Sequence, residues 1–285
     1  MKLTVLVDNN TFIDEYYLGE PGLSFYIEDG GKKILFDTGY SDIYQKNAKK
    51  LNIDLNNIDY LILSHGHNDH TGGLKYLNNI DTTNTSLIAH PDLFIKREHK
   101  GLDIGSPVKI DDLKVKETIF TKDSYQITNN LYYLGEIDRV TSFENRTIGT
   151  LVNGQQDSVK DDSALVYKTD KGVFIITACS HSGICNIIEK AKKLLNDNRV
   201  IGIIGGFHLL EDNEQLDKTI EYFKDHNINN LYPCHCVNFI AKFKMMKAIK
   251  IHEVGVGLKI ELKGGDENEL WFSKSRFTST LRWIV

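Results

Sequence analysis

Short apolar runs separated by turn residues characterise the first third of the chain. Runs rich in β-branched and aromatic residues predict strands at 3–7, 23–28, 33–37 and 60–63. The paired glycines in "EDGGKK" predict a hairpin turn between the second and third strands. One helix is expected, at 42–51. This part of the chain is therefore predicted to be mostly sheet.

From residue 163 onward, strand-like runs alternate with helical ones. The helix at 186–196 places Ile187, Ile188, Ala191, Leu194 and Leu195 on one face. The other elements predicted here are strands at 163–168, 171–177, 199–206 and 229–233 and helices at 214–226 and 238–249. Between the two halves, residues 91–160 hold short β-like runs in polar loops, typical of an insertion or a meandering second sheet. The pattern favours an α/β (α+β) fold.

Composition narrows the class of protein. The 285 residues are 41% hydrophobic with a net charge of −5, so no large basic surface for nucleic acid is expected. The longest nearly apolar run, 200–207, is far below the roughly 20 residues of a membrane helix. The apolar core at 3–7 is too short for an export signal, which favours a cytoplasmic protein with no membrane partner. The four cysteines are expected to be reduced thiols or metal ligands.

The histidines carry the strongest chemical signal. Six of the ten follow apolar, strand-like runs, and strand ends are where α/β architectures present functional groups. Three of them stand in "SHGHNDHTGG" at 64–73. The six are His65, His67, His70, His181, His208 and His235.

The segment 64–73 has the composition of a metal site. His65 and His67 can hold one ion, and Asp69 and His70 can point at a second, because zinc and similar ions take imidazole nitrogen and carboxylate oxygen. The glycines that follow permit a tight turn into a helix. A solvated polar loop is the alternative, and the density of ligand residues after a strand argues against it.

The same segment resembles the signature of the metallo-β-lactamase superfamily, and the likeness covers about residues 1–262. Residues 22–39 are similar to the family's opening hairpin, in which Asp37 matches a buried aspartate that braces the metal loop. Four shorter motifs resemble a branch of metal-dependent hydrolases and dihydropterin–aminobenzene-ribofuranosyl-phosphate synthases. They are "LGEIDRVTSFE", "TACSHSG", "GGFHLL" and "YPCHC".

The resemblance implies a four-layer αββα sandwich with the site at one edge of two packed sheets. It also implies a single domain at 1–262, followed by a tail at 263–285 that contains both tryptophans and has no evident role. Most relatives carry an aspartate that bridges both ions at the end of a late strand, where this chain has Cys179. The ligands expected here are His65, His67, Asp69, His70, His181 and His235.

Several residues of the second half keep alternative interpretations. Cys179 is a thiolate ligand or, as we favour at this point, a small buried strand-end residue, and Asp161 and Asp162 are weaker substitutes for the missing carboxylate. Because alternate residues of an extended segment face opposite ways, Cys234 and Cys236 are expected to point away from the histidine between them. Without the bridging carboxylate, a second ion is expected to bind more weakly.

Two residues are assigned to the substrate. His208 is surplus to the usual ligand scheme, so it ligates metal, contacts the leaving group or serves as a structural histidine. Arg139 can bind a phosphate or carboxylate because guanidinium matches those geometries, with a surface arginine as the alternative.

The leading functional hypothesis is a metal-dependent hydrolase. One or two divalent ions, Zn²⁺ before Mn²⁺, Fe²⁺ or Ni²⁺, would supply an activated hydroxide, and Asp69 would orient it toward an ester, phosphodiester or similar small-molecule substrate. The alternatives are a pterin-diphosphate-dependent synthase of the same branch and a binding or sensor protein with a degenerate site. No sequence feature separates the first two, and the chain is a monomer or a homodimer.

Overall fold

The computed structural model describes residues 1–144, 147–262 and 271–273 of the chain. The described strands are β1 (Lys2–Val7), β2 (Ser24–Asp29), β3 (Lys32–Phe36), β4 (Tyr60–Ile62), β5 (Ser86–Ala89), β6 (Arg97–His99), β7 (Leu102–Asp103), β8 (Glu117–Phe120), β9 (Tyr125–Gln126), β10 (Leu131–Tyr133), β11 (Thr150–Leu151), β12 (Ala164–Thr169), β13 (Gly172–Thr177), β14 (Val200–Gly205), β15 (Leu231–Pro233), β16 (Lys259–Glu261) and β17 (Trp271–Ser273). The α-helices are α1 (Ile43–Lys50), α2 (Asn68–Thr71), α3 (Ile184–Leu195), α4 (Glu214–Asp225) and α5 (Phe239–Ala248). Two 3₁₀ segments cover Gly72–Asn79 and Ile110–Asp112.

The first large sheet has the strand order β17-β16-β1-β2-β3-β4-β5-β8. Strands β3, β4, β5 and β8 run parallel, and β1 joins them through two antiparallel steps across β2. The carboxyl ends of β1, β3 and β4 therefore reach the same edge of the sheet.

The second large sheet has the order β15-β14-β13-β12-β10-β9. Its strands β13, β14 and β15 are parallel, so their carboxyl ends also share one edge. Strand β12 is antiparallel to β13, which places the residues before β12 at that edge as well. A third sheet, β11-β6-β7, is small.

Three apolar clusters hold the layers together, and each cluster joins two of them. The central cluster combines side chains from the two large sheets, including Phe25 and Phe36 with Leu165 and Phe174, so the sheets pack face to face. A second cluster packs the other face of the first sheet against α1 and the 3₁₀ segment Gly72–Asn79. The third packs the second sheet against α3, α4 and α5. The layer order is therefore αββα, which confirms the predicted fold class.

The strands and helices lie close to where the hydrophobic pattern predicts them. Strands β5 and β16 are not among the predicted strands; "SLIA" at β5 is short and lies between polar segments. The region 91–160 contributes β8 to the first sheet, β9 and β10 to the second, and all three strands of the small third sheet. Within the tail at 263–285, strand β17 pairs with β16. The other residues of the tail lie outside the described part of the chain. Among the described residues, no helix is both long and apolar enough to cross a membrane.

Phe174 tests the contribution of the inter-sheet core. Its ring is fully buried and lies 6.3 Å from the ring of Tyr232. We expect Phe174→Ala to lower the free energy of unfolding by about 3–5 kcal/mol, because the lost ring leaves a cavity. Urea denaturation measures it. The matched control is Phe239→Ala, whose ring is 82% exposed and whose loss should cost less than about 0.5 kcal/mol. Equal effects of the two variants would contradict the assignment of the core.

Candidate metal centre

The loops that follow β4, β13 and β15 bring the predicted ligand residues together. His65, His67 and His70 follow β4, His181 follows β13, and His235 follows β15. They meet because the parallel strands of both sheets end at the same side of the sandwich. The six residues expected as ligands, Asp69 included, form two adjoining groups.

The first group is a triangle of imidazole nitrogens. His65 Nε2, His67 Nδ1 and His181 Nε2 lie 3.1 Å from one another. The centre of such a triangle is about 1.8 Å from each nitrogen, so an ion slightly outside the plane would lie at the Zn–N distance of about 2.0–2.1 Å. Hydrogen bonds among the three nitrogens cannot satisfy all of them, because each nitrogen faces the other two at the same distance. The spacing fits a metal ion.

A hydrogen-bond chain determines the tautomer of His65. The Ser64 hydroxyl donates to Asp37 Oδ2 at 2.7 Å, so Ser64 Oγ accepts from His65 Nδ1–H at 2.9 Å. The Nε2 of His65 then carries the lone pair that faces the triangle.

The imidazoles of the triangle are neutral in the metal-free protein. Burial holds the pKa values of His65 and His181 well below their usual range. The neighbouring imidazoles lower both values further. Burial lowers the pKa of His67 to about 4. Neutral imidazole is the form that ligates metal, so no proton has to be displaced at neutral pH.

The second group combines Asp69, His70, Cys179 and His235, whose ligand atoms lie within 4.8 Å of one another. Asp69 Oδ2 is 3.2 Å from His235 Nε2 and 3.7 Å from His70 Nε2. His70 donates from Nδ1 to Asp37 Oδ2 at 2.8 Å, which turns its Nε2 toward the group. That Nε2 is buried and has no hydrogen-bond partner among the described residues, as expected of a metal ligand.

Residues after β1 orient His235. Its Nδ1–H donates to Asn9 Oδ1 at 3.0 Å, and its backbone N–H donates to Asp8 Oδ1 at 2.8 Å. The Nε2 of His235 is therefore the atom directed at the second group. Sequence analysis missed Asp8 and Asn9, although "DNN" directly follows a strand as the histidines do.

Asp69 lies between the two groups. Its carboxylate also comes within 4.8 Å of the ligand atoms of His65 and His67, and its side chain is 29% exposed. Burial raises the pKa of Asp69, but the imidazoles of His70 and His235 outweigh burial and hold that pKa below its usual range. An ionised, partly exposed carboxylate thus lies between the two groups.

Cys179 is the other residue shared by both groups. Its Sγ lies within 4.8 Å of ligand atoms of His65 and His181 as well as those of the second group. The residue is buried, as expected of a strand-end residue, but its sulfur is also at ligand distance. Burial raises the pKa of its thiol, so it is protonated without metal.

Of the two later cysteines, Cys234 has the expected orientation and Cys236 does not. Cys234 points into the inter-sheet core, but Cys236 Sγ lies 3.2 Å from Cys179 Sγ, beside the centre. The alternation rule fails because His235 has φ +47°, so the segment is not extended. A left-handed residue between two cysteines is not readable from the sequence.

The residues assigned to the substrate lie outside both ligand groups. The ring of His208 is 4.6 Å from that of His181. Arg139 is half-buried and donates to the backbone carbonyl of Ser158. Their roles toward a substrate stay predictions.

The two aspartates considered as substitute ligands, Asp161 and Asp162, accept hydrogen bonds from backbone N–H groups instead. Asp162 accepts from the Ser182 N–H at 2.8 Å and from its hydroxyl. Asp161 Oδ2 accepts from the Gly66 N–H at 2.8 Å, directly between His65 and His67. Neither carboxylate belongs to a ligand group among the described residues.

Arg97 completes this support, and sequence analysis missed it. The guanidinium is fully buried and pairs with Asp157 at 2.7 Å and Asp161 at 2.5 Å. A Cβ at Gly66 would collide with this guanidinium and with the Leu93 carbonyl, so the loop packs directly on Arg97. A single arginine in "KREHK" gives no sequence signal for such a role.

Comparison with known proteins identifies the family. A family model described as the metallo-beta-lactamase superfamily matches residues 18–147. An uncharacterised protein of Methanocaldococcus jannaschii is 34% identical over 248 residues, which are 85% of this chain and 93% of that protein. The chain belongs to the metallo-β-lactamase superfamily. Divalent metal ions are typical of this superfamily, and the two ligand groups described above could hold them.

Further relatives and solved structures are similar to this chain along most of its length. The 7,8-dihydropterin-6-methyl-4-(β-D-ribofuranosyl)-aminobenzene-5′-phosphate synthase of M. jannaschii is 33% identical over 270 residues, covering 88% of this chain and 92% of the synthase. The crystal structure of Tm1679, a metal-dependent hydrolase of this superfamily, has a TM-score of 0.78 and 28% identity, covering 92% of this chain and 99% of its own. A diphosphatase of the PhnP family, with a TM-score of 0.53 and 13% identity over 93% of this chain and 99% of its own, shares the fold.

The depressed pKa of His67 can be measured in the metal-free protein. We expect its imidazole to titrate near 4, against about 6.5 for an ordinary histidine. The unfolded chain binds this proton as the pH falls below 6.5 and the folded protein does not, so the free energy of unfolding falls by roughly 3 kcal/mol between pH 6.5 and 4 for this residue. An NMR titration, with His67→Asn to assign the signal, tests this, and a midpoint near 6.5 would contradict it.

Asn9→Ala tests the orientation of His235. Loss of the acceptor frees the imidazole to rotate, so we expect the affinity for the second ion to fall 10–100-fold while the first ion is unaffected. Titration of the metal-free protein with Zn²⁺ in competition with a chelator separates the two affinities. Asn153→Ala, at an exposed asparagine that contacts Gln155, should match the wild type. An equal loss of affinity for both ions would show that Asn9 stabilises the whole fold and does not act on His235 alone.

Proposed function

We propose that this protein is a metal-dependent hydrolase acting on an ester, phosphodiester or similar bond of a small molecule. The observation that carries the proposal is the triangle of three neutral imidazole nitrogens beside an ionised, partly exposed carboxylate. The likeness to Tm1679 over nearly the whole chain supports it.

The metal would be held by His65, His67 and His181 at the first position and by Asp69, His70 and His235 at the second. A divalent ion lowers the pKa of bound water toward about 7 and polarises a scissile bond. Zn²⁺ suits this set of nitrogen and carboxylate ligands best, and Mn²⁺, Fe²⁺ and Ni²⁺ are the alternatives.

The surrounding side chains have separate tasks in the proposal. Asp69, exposed on one side and ionised, accepts a hydrogen bond from the attacking water and orients it. His208, next to His181, contacts the leaving group. Arg139 has a buried Nε with no hydrogen-bond partner among the described residues, which suits a phosphate or carboxylate of the substrate.

A second candidate function rests on the M. jannaschii synthase, which is 33% identical over 88% of this chain. In that case the same ligand residues would serve a synthase that uses a pterin diphosphate and releases pyrophosphate. The site geometry is compatible with both reactions, because each needs a substrate held beside the metal centre.

Substitution of the ligand residues tests the metal-dependent mechanism. We expect His67→Ala and Asp69→Ala to lower kcat/KM at least 10²-fold on the best substrate of an ester and phosphodiester panel, because each removes a ligand or the orienting carboxylate. His99→Ala, at an exposed histidine on β6, is the control and should retain wild-type activity. Full activity of either ligand variant would overturn the mechanism.

The same panel distinguishes the candidate functions. Turnover of an ester or phosphodiester favours the hydrolase. Release of pyrophosphate from a pterin diphosphate only when an aminobenzene ribosyl phosphate is present favours the synthase. Tight metal binding with no turnover of any compound would favour a binding or sensor protein and would contradict the proposal.

A further inference from the structure

Two thiols meet beside the metal centre. Cys179 follows β13 and Cys236 follows β15, and these strands flank β14 in a parallel arrangement. Their carboxyl ends therefore lie together, and the two Sγ atoms are 3.2 Å apart. Gly206, after β14, makes room for the pair, since a Cβ there would lie 2.5 Å from Cys236 Sγ.

One member of the pair is also at ligand distance from both groups. Cys179 Sγ lies within 4.8 Å of ligand atoms of His65 and His181, and equally of those of Asp69, His70 and His235. A sulfur in this position is shared by the two groups, and thiolate is a ligand that zinc accepts. Its negative charge would offset the repulsion between two dications, which a neutral side chain could not do.

The other two cysteines are remote from this arrangement. Cys234 is buried in the inter-sheet core, and Cys185 lies in the first turn of α3, where its backbone N–H donates to Glu144. Neither belongs to a ligand group among the described residues. The pair is therefore specific to Cys179 and Cys236.

We propose that Cys179 is a thiolate ligand shared by the two metal positions, and that Cys236 is its reversible disulfide partner, so that oxidation withdraws Cys179 from the centre. The proposal depends on the metal centre and not on which reaction it serves. Cys179 is buried, whereas Cys236 is partly exposed, so Cys236 is the residue that a small oxidant reaches first.

The oxidation is balanced with a hydroperoxide as oxidant. The Cys236 thiol attacks hydrogen peroxide, which breaks the O–O bond, yields a sulfenic acid on Cys236 and releases one water. The Cys179 thiolate then attacks Cys236 Sγ, forms the S–S bond and expels hydroxide, which takes a proton from solvent and becomes the second water. The two sulfurs lose two electrons in total and the peroxide gains them; of the two protons needed to form two waters, one comes from the Cys236 thiol and one from solvent. Closing 3.2 Å to a bond of about 2.05 Å needs a shift of only about 1 Å.

Oxidation should affect the two metal positions differently. A disulfide sulfur is neutral and is a poor ligand compared with thiolate. Both positions lose the shared anionic sulfur: the first retains its three histidines, and the second keeps Asp69, His70 and His235 without the charge that offset the repulsion between two dications. The oxidised protein is therefore expected to hold one ion and the reduced protein two.

The test uses the full-length protein loaded with Co²⁺ under anaerobic conditions. The reduced protein should bind two ions and show a near-ultraviolet thiolate-to-cobalt absorption band. One equivalent of hydrogen peroxide should reduce the free thiols from four to two, link Cys179 to Cys236 in a peptide map, remove the band and release one ion. Dithiothreitol should restore all of these. Thiol counts, peptide masses and cobalt spectra need no turnover, so they are independent of the proposed function.

Three variants separate the two parts of the proposal. Cys236→Ser should keep the cobalt band but form no internal disulfide, and Cys179→Ser should lose both. Cys185→Ser should behave as the wild type apart from one thiol fewer. A cobalt band that persists in Cys179→Ser would overturn the ligand role, and if that variant fails to fold, the wild type and Cys236→Ser still decide it. Oxidation without a Cys179–Cys236 link would overturn the pairing.

Discussion

The buried carboxylate of Asp37 is the interaction on which the rest of the centre depends. It accepts from the Ser64 N–H at 2.8 Å, from the Ser64 hydroxyl at 2.7 Å and from His70 Nδ1 at 2.8 Å. One side chain thus joins the end of β3 to the start of the loop after β4 and to the helix that follows. Through Ser64 it also selects the tautomer of His65, so ligands of both groups are oriented from a single anion.

The carboxylates at this edge are divided between support and ligation. Asp37, Asp161 and Asp162 are fully or almost fully buried, and each accepts a hydrogen bond from a backbone N–H group. The buried guanidinium of Arg97 pairs with Asp161, and removing one partner of a buried pair costs about 3–5 kcal/mol. Asp69 alone among these four is partly exposed, and it alone lies within the ligand groups. The buried aspartates and Arg97 thus fix the loops that carry the candidate ligand side chains, which limits the orientations of those side chains.

The sequence predicted what local pattern determines. The candidate ligands of the loop after β4 lie within six positions of the chain, and His181 and His235 were predicted from their places after strands. The αββα layers follow from runs of apolar residues that the structure buries on both sheet faces. Asn9, Arg97 and the Cys179–Cys236 contact were not predictable, because they join segments 57 to 226 residues apart and depend on strand order. His235 has a left-handed φ, which turns Cys236 toward the centre. This conformation could not be predicted because the residue is not a glycine.

The two ligand groups differ in charge, and this difference bears on what the site can bind. The three neutral imidazoles of the first group would add no charge to offset that of a dication, whereas the second group includes the ionised Asp69, which also lies near the first. The protein as a whole carries a net charge of −5, so it has no general attraction for anions. Recognition of a phosphate-bearing substrate would therefore depend on the first position and on Arg139. A thiolate from Cys179 would deepen the asymmetry, since it adds its charge where the two groups meet.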